Sequence, residues 1–395
     1  MNRPHDELAV RVSHLEPEGA YEVLAKAQAL EAEGREIVHL EIGQPDFQTF
    51  PHIGMAGIRA IATGQTRYTP SAGIPSLKRA IAAATGRRVG LELSAESVVV
   101  GPGAKPLLFF PMMALLEPGD EVLYPDPGFP SYRAIIETMG ATPVPVPLRE
   151  ETGFSFDMDA FARSVGSKTR LVIINSPSNP TGGIIPRPDL ETIAHNALKH
   201  DFWVLSDEIY TRLIYGDVSV DSIITLPGMR DRTILMDGFS KTYAMTGWRL
   251  GYAVMPEALA AKVGLLLTHS VGCTASFTQI AGVEALEGTQ DPVEEVRRVF
   301  RERRDLIVAG LNRIPGMSCQ MPDGAFYVFP NVKAFGRSSD EIADFLLREA
   351  GVAVLPGTSF GPMGEGYLRL CYANSLDQIR KALKAMGSAL DALKK

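Results

Sequence analysis

Short apolar segments alternate with longer amphipathic segments through the middle of the chain. The apolar segments predict buried strands, and the amphipathic segments between them predict helices. The predicted strands are Ser97–Val100, Glu121–Tyr124, Leu171–Asn175, Trp203–Ser206, Thr233–Met236 and Leu250–Val254. The predicted helices include Lys105–Leu116, Tyr132–Met139 and Leu190–His200. This alternation favours an α/β fold, in which helices cover both faces of a mainly parallel sheet.

The two ends of the chain follow a different pattern. Residues 18–34 predict one amphipathic helix, which leads into the apolar segment Ile37–Ile42. Towards the carboxyl end, the predicted charged helices are Glu294–Asn312 and Asp340–Ala350, and the predicted strands are Phe326–Phe329 and Leu368–Cys371. We therefore expect a large α/β domain over residues 45–290 and a smaller α+β domain built from residues 1–44 and 291–395.

Composition and charge narrow the class of protein. The 395 residues include 39 Lys and Arg against 46 Asp and Glu, which gives a formal net charge of −7. An acidic chain without a basic segment is a poor partner for nucleic acid or an anionic membrane. The most apolar segment, Pro106–Leu116, is too short for the ~20 residues that span a bilayer. We expect a cytoplasmic enzyme.

The cysteines and histidines predict neither a disulfide framework nor a metal site. Cys273, Cys319 and Cys371 are odd in number and far apart, and no C-x-x-C pair occurs. Such spacing is typical of reduced thiols in a cytosolic protein.

Polar and glycine-rich segments follow several predicted strands. Residues 101–105 (GPGAK) open a helix, residues 175–182 (NSPSNPTG) form a constrained turn, and Asp207 follows an apolar strand. Ligands of doubly wound sheets bind at the carboxyl ends of the strands. Each segment also has a simpler interpretation, as a plain connection, an Asx-turn or a solvated loop carboxylate.

Lys241 is the candidate reactive group. It lies between a predicted strand end and a Gly-Trp-Arg turn, where a desolvated amine can form a Schiff base. Asp207 precedes it by about one β-α-β step, so the two residues are expected on neighbouring strands that face one pocket.

Eight segments in collinear order make the chain resemble the fold-type-I pyridoxal-phosphate aminotransferases of class I/II, the group that contains bacterial aspartate aminotransferases. The segments are IGQPDF (42–47), YTPSAGIPSLKRAI (68–81), GAKPLLF (103–109), SNPTG (178–182), SDEIY (206–210), FSKTYAMTGWRLGY (239–252), PDGAFYVF (322–329) and LRLCYANS (368–375). The resemblance implies the corresponding fold, the cofactor pyridoxal 5′-phosphate and a homodimer.

The resemblance also implies roles around the cofactor ring. Lys241 would bind the cofactor covalently and move the substrate Cα proton. Asp207 would pair with the protonated pyridine nitrogen. Asn179 and Tyr210 would hydrogen-bond the 3-hydroxyl oxygen, and Phe129 would stack on the ring. Lys241, Asp207 and Tyr210 are therefore the candidate catalytic residues.

A second group is expected around the cofactor phosphate. Its members are Gly103, Ala104, Lys105, Ser240, Arg249 and Tyr68. Arg249 would bind the phosphate together with backbone N–H groups of the glycine-rich turn. Tyr68 would reach the phosphate from the neighbouring subunit.

The expected substrate site contains Arg369, Gly43, Asn179 and Lys105. Arg369 would form a bidentate pair with the substrate α-carboxylate. Lys105 would meet a distal carboxylate, which favours aspartate and glutamate. Glu18 lies in the N-terminal loop near that position and would repel a distal carboxylate. The sequence therefore favours aspartate as a substrate without assigning it.

The resemblance thus implies a transaminase that moves the amino group of an L-amino acid to a 2-oxo acid such as 2-oxoglutarate by a ping-pong mechanism. Two alternatives use the same residues: a transaminase of broader, aromatic or neutral specificity, and a C–S or β-elimination lyase. A transcriptional regulator with an aminotransferase-like domain is disfavoured, since the resemblance begins within about the first 20 residues and the chain is acidic.

Overall fold

A computed structural model describes residues 8–13, 15–216 and 218–393; residues 1–7, 14, 217, 394 and 395, which fall within the two predicted domains, lie outside the described residues. The α-helices within this part are α1 (Gly19–Ala32), α2 (Pro51–Ala62), α3 (Pro75–Val89), α4 (Pro106–Leu115), α5 (Ser131–Thr138), α6 (Met158–Ser164), α7 (Arg187–His200), α8 (Glu257–Thr268), α9 (Ser276–Glu287), α10 (Asp291–Leu311), α11 (Ser339–Phe345) and α12 (Leu376–Leu393). A π-helical turn, Leu346–Ala350, extends α11.

The strands are short and most are fully buried. They are β1 (Val38–His39), β2 (Val98–Gly101), β3 (Glu121–Asp126), β4 (Thr142–Arg149), β5 (Ser155–Phe156), β6 (Thr169–Asn175), β7 (Trp203–Asp207), β8 (Thr233–Gly238), β9 (Gly251–Val254), β10 (Tyr327–Val328), β11 (Val352–Ala353), β12 (Leu355–Pro356) and β13 (Leu368–Cys371). The six strands predicted in the middle of the chain correspond to β2, β3, β6, β7, β8 and β9, within a few residues at each end.

The large sheet has the order β2-β9-β8-β7-β6-β3-β4-β5. Strands β8, β7, β6, β3 and β4 run parallel, whereas β9 is antiparallel to both β2 and β8. Buried apolar clusters cover both faces of the sheet, with α4 and α8 packed on one face and α7 on the other. The predicted α/β class with a mainly parallel sheet is confirmed.

Strand β4 was not predicted, and its sequence explains why. It reads TPVPVPLR, and proline has no N–H group to donate to a neighbouring strand. The strand pairs along its length only with β3, while β5 pairs with it at just two positions, Leu148 and Arg149. A strand near the edge of a sheet tolerates proline because one side needs few hydrogen bonds.

The two chain ends meet in smaller sheets. Strand β1 pairs in parallel with β11, and β13 lies between β10 and β12 in an antiparallel sheet. Helix α12 packs on α10, and helix α1 contacts β11 and β12. The N-terminal and C-terminal segments therefore share one layered unit, although the exact boundaries at residues 44 and 291 stay a prediction.

Candidate active site

A cavity of about 660 Å³ opens where the parallel strands end. Asn175 and Asp207 are the last residues of β6 and β7, and Lys241 lies just after β8. Because these strands are neighbours and run parallel, their carboxyl ends bring the three side chains into one place. The charged residues lining the cavity are Glu18, Lys105, Asp207, Lys241, Arg249 and Arg369. The excess of cations favours an anionic ligand.

The amine of Lys241 points into the cavity. Its Nζ donates a hydrogen bond to the carbonyl oxygen of Gly43 at 2.6 Å and lies 5.7 Å from the centre of the Phe326 ring. Burial, aided by the nearby positive charges of Arg369 and Arg249, lowers the pKa of Lys241 to about 8 against the opposing effects of Cys371 and Asp207. An amine with such a pKa is partly unprotonated near neutral pH and can act as a nucleophile.

Asp207 is a buried carboxylate at the end of β7. The hydroxyl of Tyr132 donates to its Oδ2 at 2.6 Å, and the N–H group of Ile209 donates to its Oδ1 at 3.3 Å. Burial raises the pKa of Asp207 to about 7, although these two hydrogen bonds oppose the shift. No Lys, Arg or His among the described residues forms an ion pair with it. The site thus holds a buried acid that a cationic ligand group would keep ionised.

The turn after β6 is fixed by its own amide side chains. The Asn175 side chain accepts the N–H group of Asn179 at 2.8 Å and donates to the carbonyl oxygen of Asp207 at 3.0 Å. Nearby, the hydroxyls of Tyr210 and Tyr327 are hydrogen-bonded at 2.8 Å. Burial raises the pKa of Tyr210 well above its usual value, so its phenol stays protonated and can donate to a ligand.

Arg369 is a buried guanidinium, with 4% of its surface exposed. It donates to the carbonyl oxygen of Glu41, lies 3.4 Å from Asn179 Oδ1, and packs on the Tyr327 ring at 4.7 Å. Its Nε lacks a hydrogen-bond partner, and no carboxylate of the described chain forms an ion pair with it. A buried cation without a counter-ion is suited to a carboxylate ligand.

Gly43 lies next to Tyr327, the residue whose ring packs against the Arg369 guanidinium. A side chain at position 43 would overlap the hydroxyl of Tyr327. The absence of a side chain therefore lets the loop approach Tyr327 closely while its carbonyl oxygen accepts from Lys241.

The glycine-rich turn before α4 packs on Arg249. Gly103 has a φ of +93°, and a side chain there would overlap the Arg249 guanidinium. Arg249 itself donates from Nη1 to the carbonyl oxygen of Thr246 at 2.8 Å. Ala104 and Lys105 stand at the start of α4, where backbone N–H groups are free for an anion.

Lys105 and Glu18 contact each other at the edge of the cavity. The ammonium of Lys105 forms an ion pair with Glu18 Oε1 and lies 5.2 Å from the centre of the Phe129 ring. Glu18 Oε1 also accepts from the hydroxyl of Ser131 at 3.3 Å. Glu18, which was expected to repel a distal carboxylate, thus pairs with Lys105, which was expected to attract it.

Most of the predicted site residues line the cavity. These are Gly43, Ala104, Lys105, Phe129, Asn179, Asp207, Tyr210, Ser240, Lys241, Arg249 and Arg369. Gly103 lies behind Arg249 and is not part of the lining. Tyr68 is 99% exposed and also lies outside the lining.

Tyr132, Asn175 and Tyr327 are among the lining residues that sequence reasoning missed. Asn175 and Tyr327 lay within or beside segments already singled out, but no role was given to them. Tyr132 was placed only as the first residue of a predicted helix. Its closeness in sequence to Phe129 was the signal available, since its contact with Asp207 joins positions 75 residues apart.

The described residues show neither a metal-binding cluster nor a membrane-spanning helix. Across the described ranges, no group of three or more His, Cys, Asp or Glu side chains is arranged to hold a metal ion. Within the same residues, no helix combines the length and the apolar character that crossing a membrane requires.

Comparison with known proteins agrees with this geometry. The family model described as aminotransferase class I and II matches residues 35–386. An aspartate aminotransferase of Pyrococcus horikoshii is 39% identical, covering 98% of each chain. An aromatic-amino-acid aminotransferase 2 of Thermococcus litoralis is 38% identical over 97% of this chain and 98% of its own. The crystal structure of an aspartate aminotransferase from Rhizobium meliloti matches with a TM-score of 0.94 and 35% identity, covering 98% of this chain and 99% of that chain.

Proposed function

The chain belongs to the class I and II aminotransferases and is a transaminase, and from this premise we propose that it binds pyridoxal 5′-phosphate in the cavity described above. The observation that carries the proposal is the meeting of Lys241, Asp207 and Arg369 in one cavity. A reactive amine, a buried acid and a buried guanidinium are the three groups that amino transfer through this cofactor requires.

The residues present fit the cofactor. The buried carboxylate of Asp207 has a raised pKa and no cationic partner among the described residues, which suits a protonated pyridine nitrogen. Asn179 and Tyr210 offer hydrogen-bond donors for the ring hydroxyl oxygen. Phe129 lines the same cavity and offers an aromatic face on which the cofactor ring could stack.

The phosphate has a matching group of donors. Arg249 supplies a guanidinium, and the start of α4 at Ala104 and Lys105 supplies backbone N–H groups. Ser240 adds a hydroxyl-bearing residue to the lining, and Gly103 leaves room for the Arg249 side chain.

When bound, the cofactor supplies an electron sink for the carbanion that forms at the substrate Cα. The Nζ of Lys241 would hold the cofactor and, when free, would take the proton from the substrate Cα. Asp207 would keep the ring nitrogen protonated. Arg369 would bind the substrate α-carboxylate through its bidentate fork and orient the substrate.

We infer that the donors are L-amino acids, with aspartate and glutamate favoured, and that the acceptor is a 2-oxo acid such as 2-oxoglutarate. The aspartate aminotransferase relative supports this, and so does the ammonium of Lys105 at the cavity edge. The aromatic-amino-acid relative is nearly as similar, which supports broader specificity as the alternative.

We also propose a cytoplasmic homodimer in which Tyr68 serves the neighbouring site. Tyr68 is 99% exposed, and the α2 side chains Met55, Ile58 and Ile61 expose between 46% and 58% of their surface. Exposed apolar residues grouped in this way favour an interface with a second copy.

The test is to add pyridoxal 5′-phosphate to the protein, reduce it with borohydride and locate the label by mass spectrometry. We expect a visible absorption band and a label on Lys241. Lys241→Ala should lose both and slow amino transfer by about 10³-fold, because no other group replaces the base. Lys199→Ala, which removes an exposed amine on α7, is the control and should keep both. Wild-type turnover by Lys241→Ala would contradict the proposal.

Half-reaction chemistry separates the transaminase from a lyase. With an amino acid alone, a transaminase stops when the cofactor holds the amino group, and 2-oxoglutarate restarts it. Continuous release of ammonia and pyruvate without that stop would instead favour a β-elimination lyase.

A further inference from the structure

We propose that Glu18 determines side-chain selectivity by occupying the ammonium of Lys105. In this view Glu18 competes with the distal carboxylate of a dicarboxylic amino acid and lowers the preference for such substrates over neutral ones. The proposal rests on the proposed function, since it concerns the substrate end of the same cavity.

The contacts of Glu18 hold its carboxylate at the cavity edge. Its Oε1 pairs with the ammonium of Lys105 and accepts from the hydroxyl of Ser131 at 3.3 Å. Glu18 immediately precedes helix α1, yet its side chain does not cap that helix. Its carboxylate is therefore turned towards the cavity and not towards its own helix.

Lys105 remains reachable despite this pair. Half of its side chain is exposed, against 29% for that of Glu18, and both residues line the cavity. Its ammonium lies 5.2 Å from the centre of the Phe129 ring. Within the described part of the chain, the other cations lining the cavity are Lys241, Arg249 and Arg369, which the proposed function assigns to other groups.

Charge balance gives the direction of the effect. One ammonium paired with one carboxylate is already neutral, so a second carboxylate brought to Lys105 meets the negative charge of Glu18 as well. Like charges at short range are unfavourable, and the arriving carboxylate must displace Glu18 or share the ammonium with it. Arg369 is unaffected, because its role concerns the α-carboxylate that all amino acids carry.

A neutral side chain meets no such competition. It can leave the Lys105–Glu18 pair intact and lie against the apolar lining formed by Ala20, Leu108 and Phe129. The pair then forms a neutral polar wall at the edge of the cavity. The intact pair therefore reduces the margin by which aspartate is favoured over neutral and aromatic donors.

The first experiment compares donors in the Glu18→Gln variant, which keeps the size of the side chain and removes its charge. Half-reaction kcat/KM is measured for aspartate and for phenylalanine. We expect the aspartate-to-phenylalanine ratio to rise about tenfold. Glu22→Gln removes a carboxylate from the exposed first turn of α1 and should leave the ratio unchanged. An unchanged ratio in Glu18→Gln would overturn the proposal.

Replacing Lys105 provides an independent check on the pair. In the Glu18→Gln background the ammonium of Lys105 has lost its pair with Glu18, so Lys105→Ala should lower the ratio strongly there. In the native protein the same substitution leaves the charge of Glu18 unpaired, so the ratio should fall there as well. An unchanged ratio when Lys105→Ala is added to Glu18→Gln would show that Lys105 does not meet the distal carboxylate and would overturn the proposal.

A binding measurement needs no turnover. Calorimetry on the protein with its cofactor gives the Kd of succinate, a dicarboxylate, and of 3-phenylpropionate, a monocarboxylate. Glu18→Gln should tighten succinate about tenfold relative to 3-phenylpropionate. If neither the native protein nor Glu18→Gln transaminates but this shift occurs, the proposed function fails and the competition between Glu18 and a ligand carboxylate for Lys105 stands. If transamination proceeds without the shift, the selectivity proposal alone is wrong.

Discussion

At the scale of single residues, the side chains that contact Asp207 control the charge of its carboxyl group. Burial alone would keep this carboxyl protonated, and the phenol of Tyr132 opposes that effect by donating to Oδ2 at 2.6 Å. Tyr132 is itself fully buried and has its edge against Phe129, with ring centres 5.6 Å apart. One residue thus supports both Asp207, the proposed partner of the ring nitrogen, and Phe129, the proposed stacking face.

The Tyr132→Phe substitution tests this positioning role. Loss of the donor raises the pKa of Asp207 further above about 7, so less of the carboxylate is available to pair with a protonated ring nitrogen. We expect the affinity for pyridoxal 5′-phosphate to fall about tenfold, which corresponds to about 1.4 kcal/mol. Fluorescence titration of the cofactor-free protein measures it.

Tyr252→Phe is the matched control. Its hydroxyl donates at 3.1 Å to Asp237, another buried carboxylate, one strand away from Asp207. Both variants should lose about 1–3 kcal/mol of unfolding free energy, because each leaves a buried acceptor with one partner fewer. If both lose cofactor affinity equally, the effect is one of general stability and the role of Tyr132 is wrong.

At the scale of elements, the antiparallel strand β9 supports the glycine-rich turn. Its first residue, Gly251, pairs with Gly101 at the end of β2 and with Gly238 at the end of β8. A Cβ at Gly251 would lie 2.5 Å from the backbone nitrogen of Ala104 and 2.5 Å from the carbonyl carbon of Gly103. The reversal of β9 therefore fixes where the proposed phosphate donors lie.

We predict that Gly251→Ala displaces this turn. Backbone atoms cannot yield as a flexible side chain can, so the variant should lose about 1–3 kcal/mol of unfolding free energy. It should also bind pyridoxal 5′-phosphate at least about tenfold more weakly, since the N–H groups move. Urea unfolding and cofactor titration measure the two effects.

Gly387→Ala is the control for that substitution. Gly387 lies within α12, and an added Cβ would make only an ordinary contact, 3.8 Å from Ile314. Alanine is the better helix former, so this variant should gain about 0.5–1 kcal/mol and keep its cofactor affinity. Unchanged affinity in Gly251→Ala would contradict the role assigned to β9.

At the scale of the whole molecule, the chain ends are joined to the large sheet at the edge of the site. The Asp126 carboxylate accepts the N–H group of Met363 at 3.1 Å, and Gly128 donates to the carbonyl oxygen of Phe360 at 2.8 Å. Burial raises the pKa of Asp126 to about 6. The segment that carries Phe129 is thus hydrogen-bonded to the C-terminal part of the chain.

The proposed dimer gives a prediction at the same scale. Ile58→Asp places a charge on a 58%-exposed position of α2, so the monomer should fold normally while the dimer dissociates. Sedimentation should show a monomer with weaker cofactor affinity, because Tyr68 of the second copy is lost. Tyr68→Phe should stay dimeric and lose affinity severalfold. A monomeric Ile58→Asp with full affinity would refute the shared site.

Most element types and the residues that follow the strand ends could be predicted from the amino-acid sequence, because hydrophobic periodicity and turn chemistry are local properties. Lys241, Asp207 and the turn at Asn179 could be selected in this way, and the family resemblance supplied their proposed roles. Strand β4 escaped because its alternating prolines conceal a near-edge position.

Which distant side chains meet became known from the folded arrangement alone. Glu18 contacts Lys105 across 87 positions, Tyr132 contacts Asp207 across 75, and Arg369 contacts the Glu41 carbonyl across 328. Such contacts depend on how helices and strands pack, which no local pattern encodes. For that reason the sequence could predict that Lys105 attracts a distal carboxylate and that Glu18 repels it. It could not reveal that the two side chains neutralise each other.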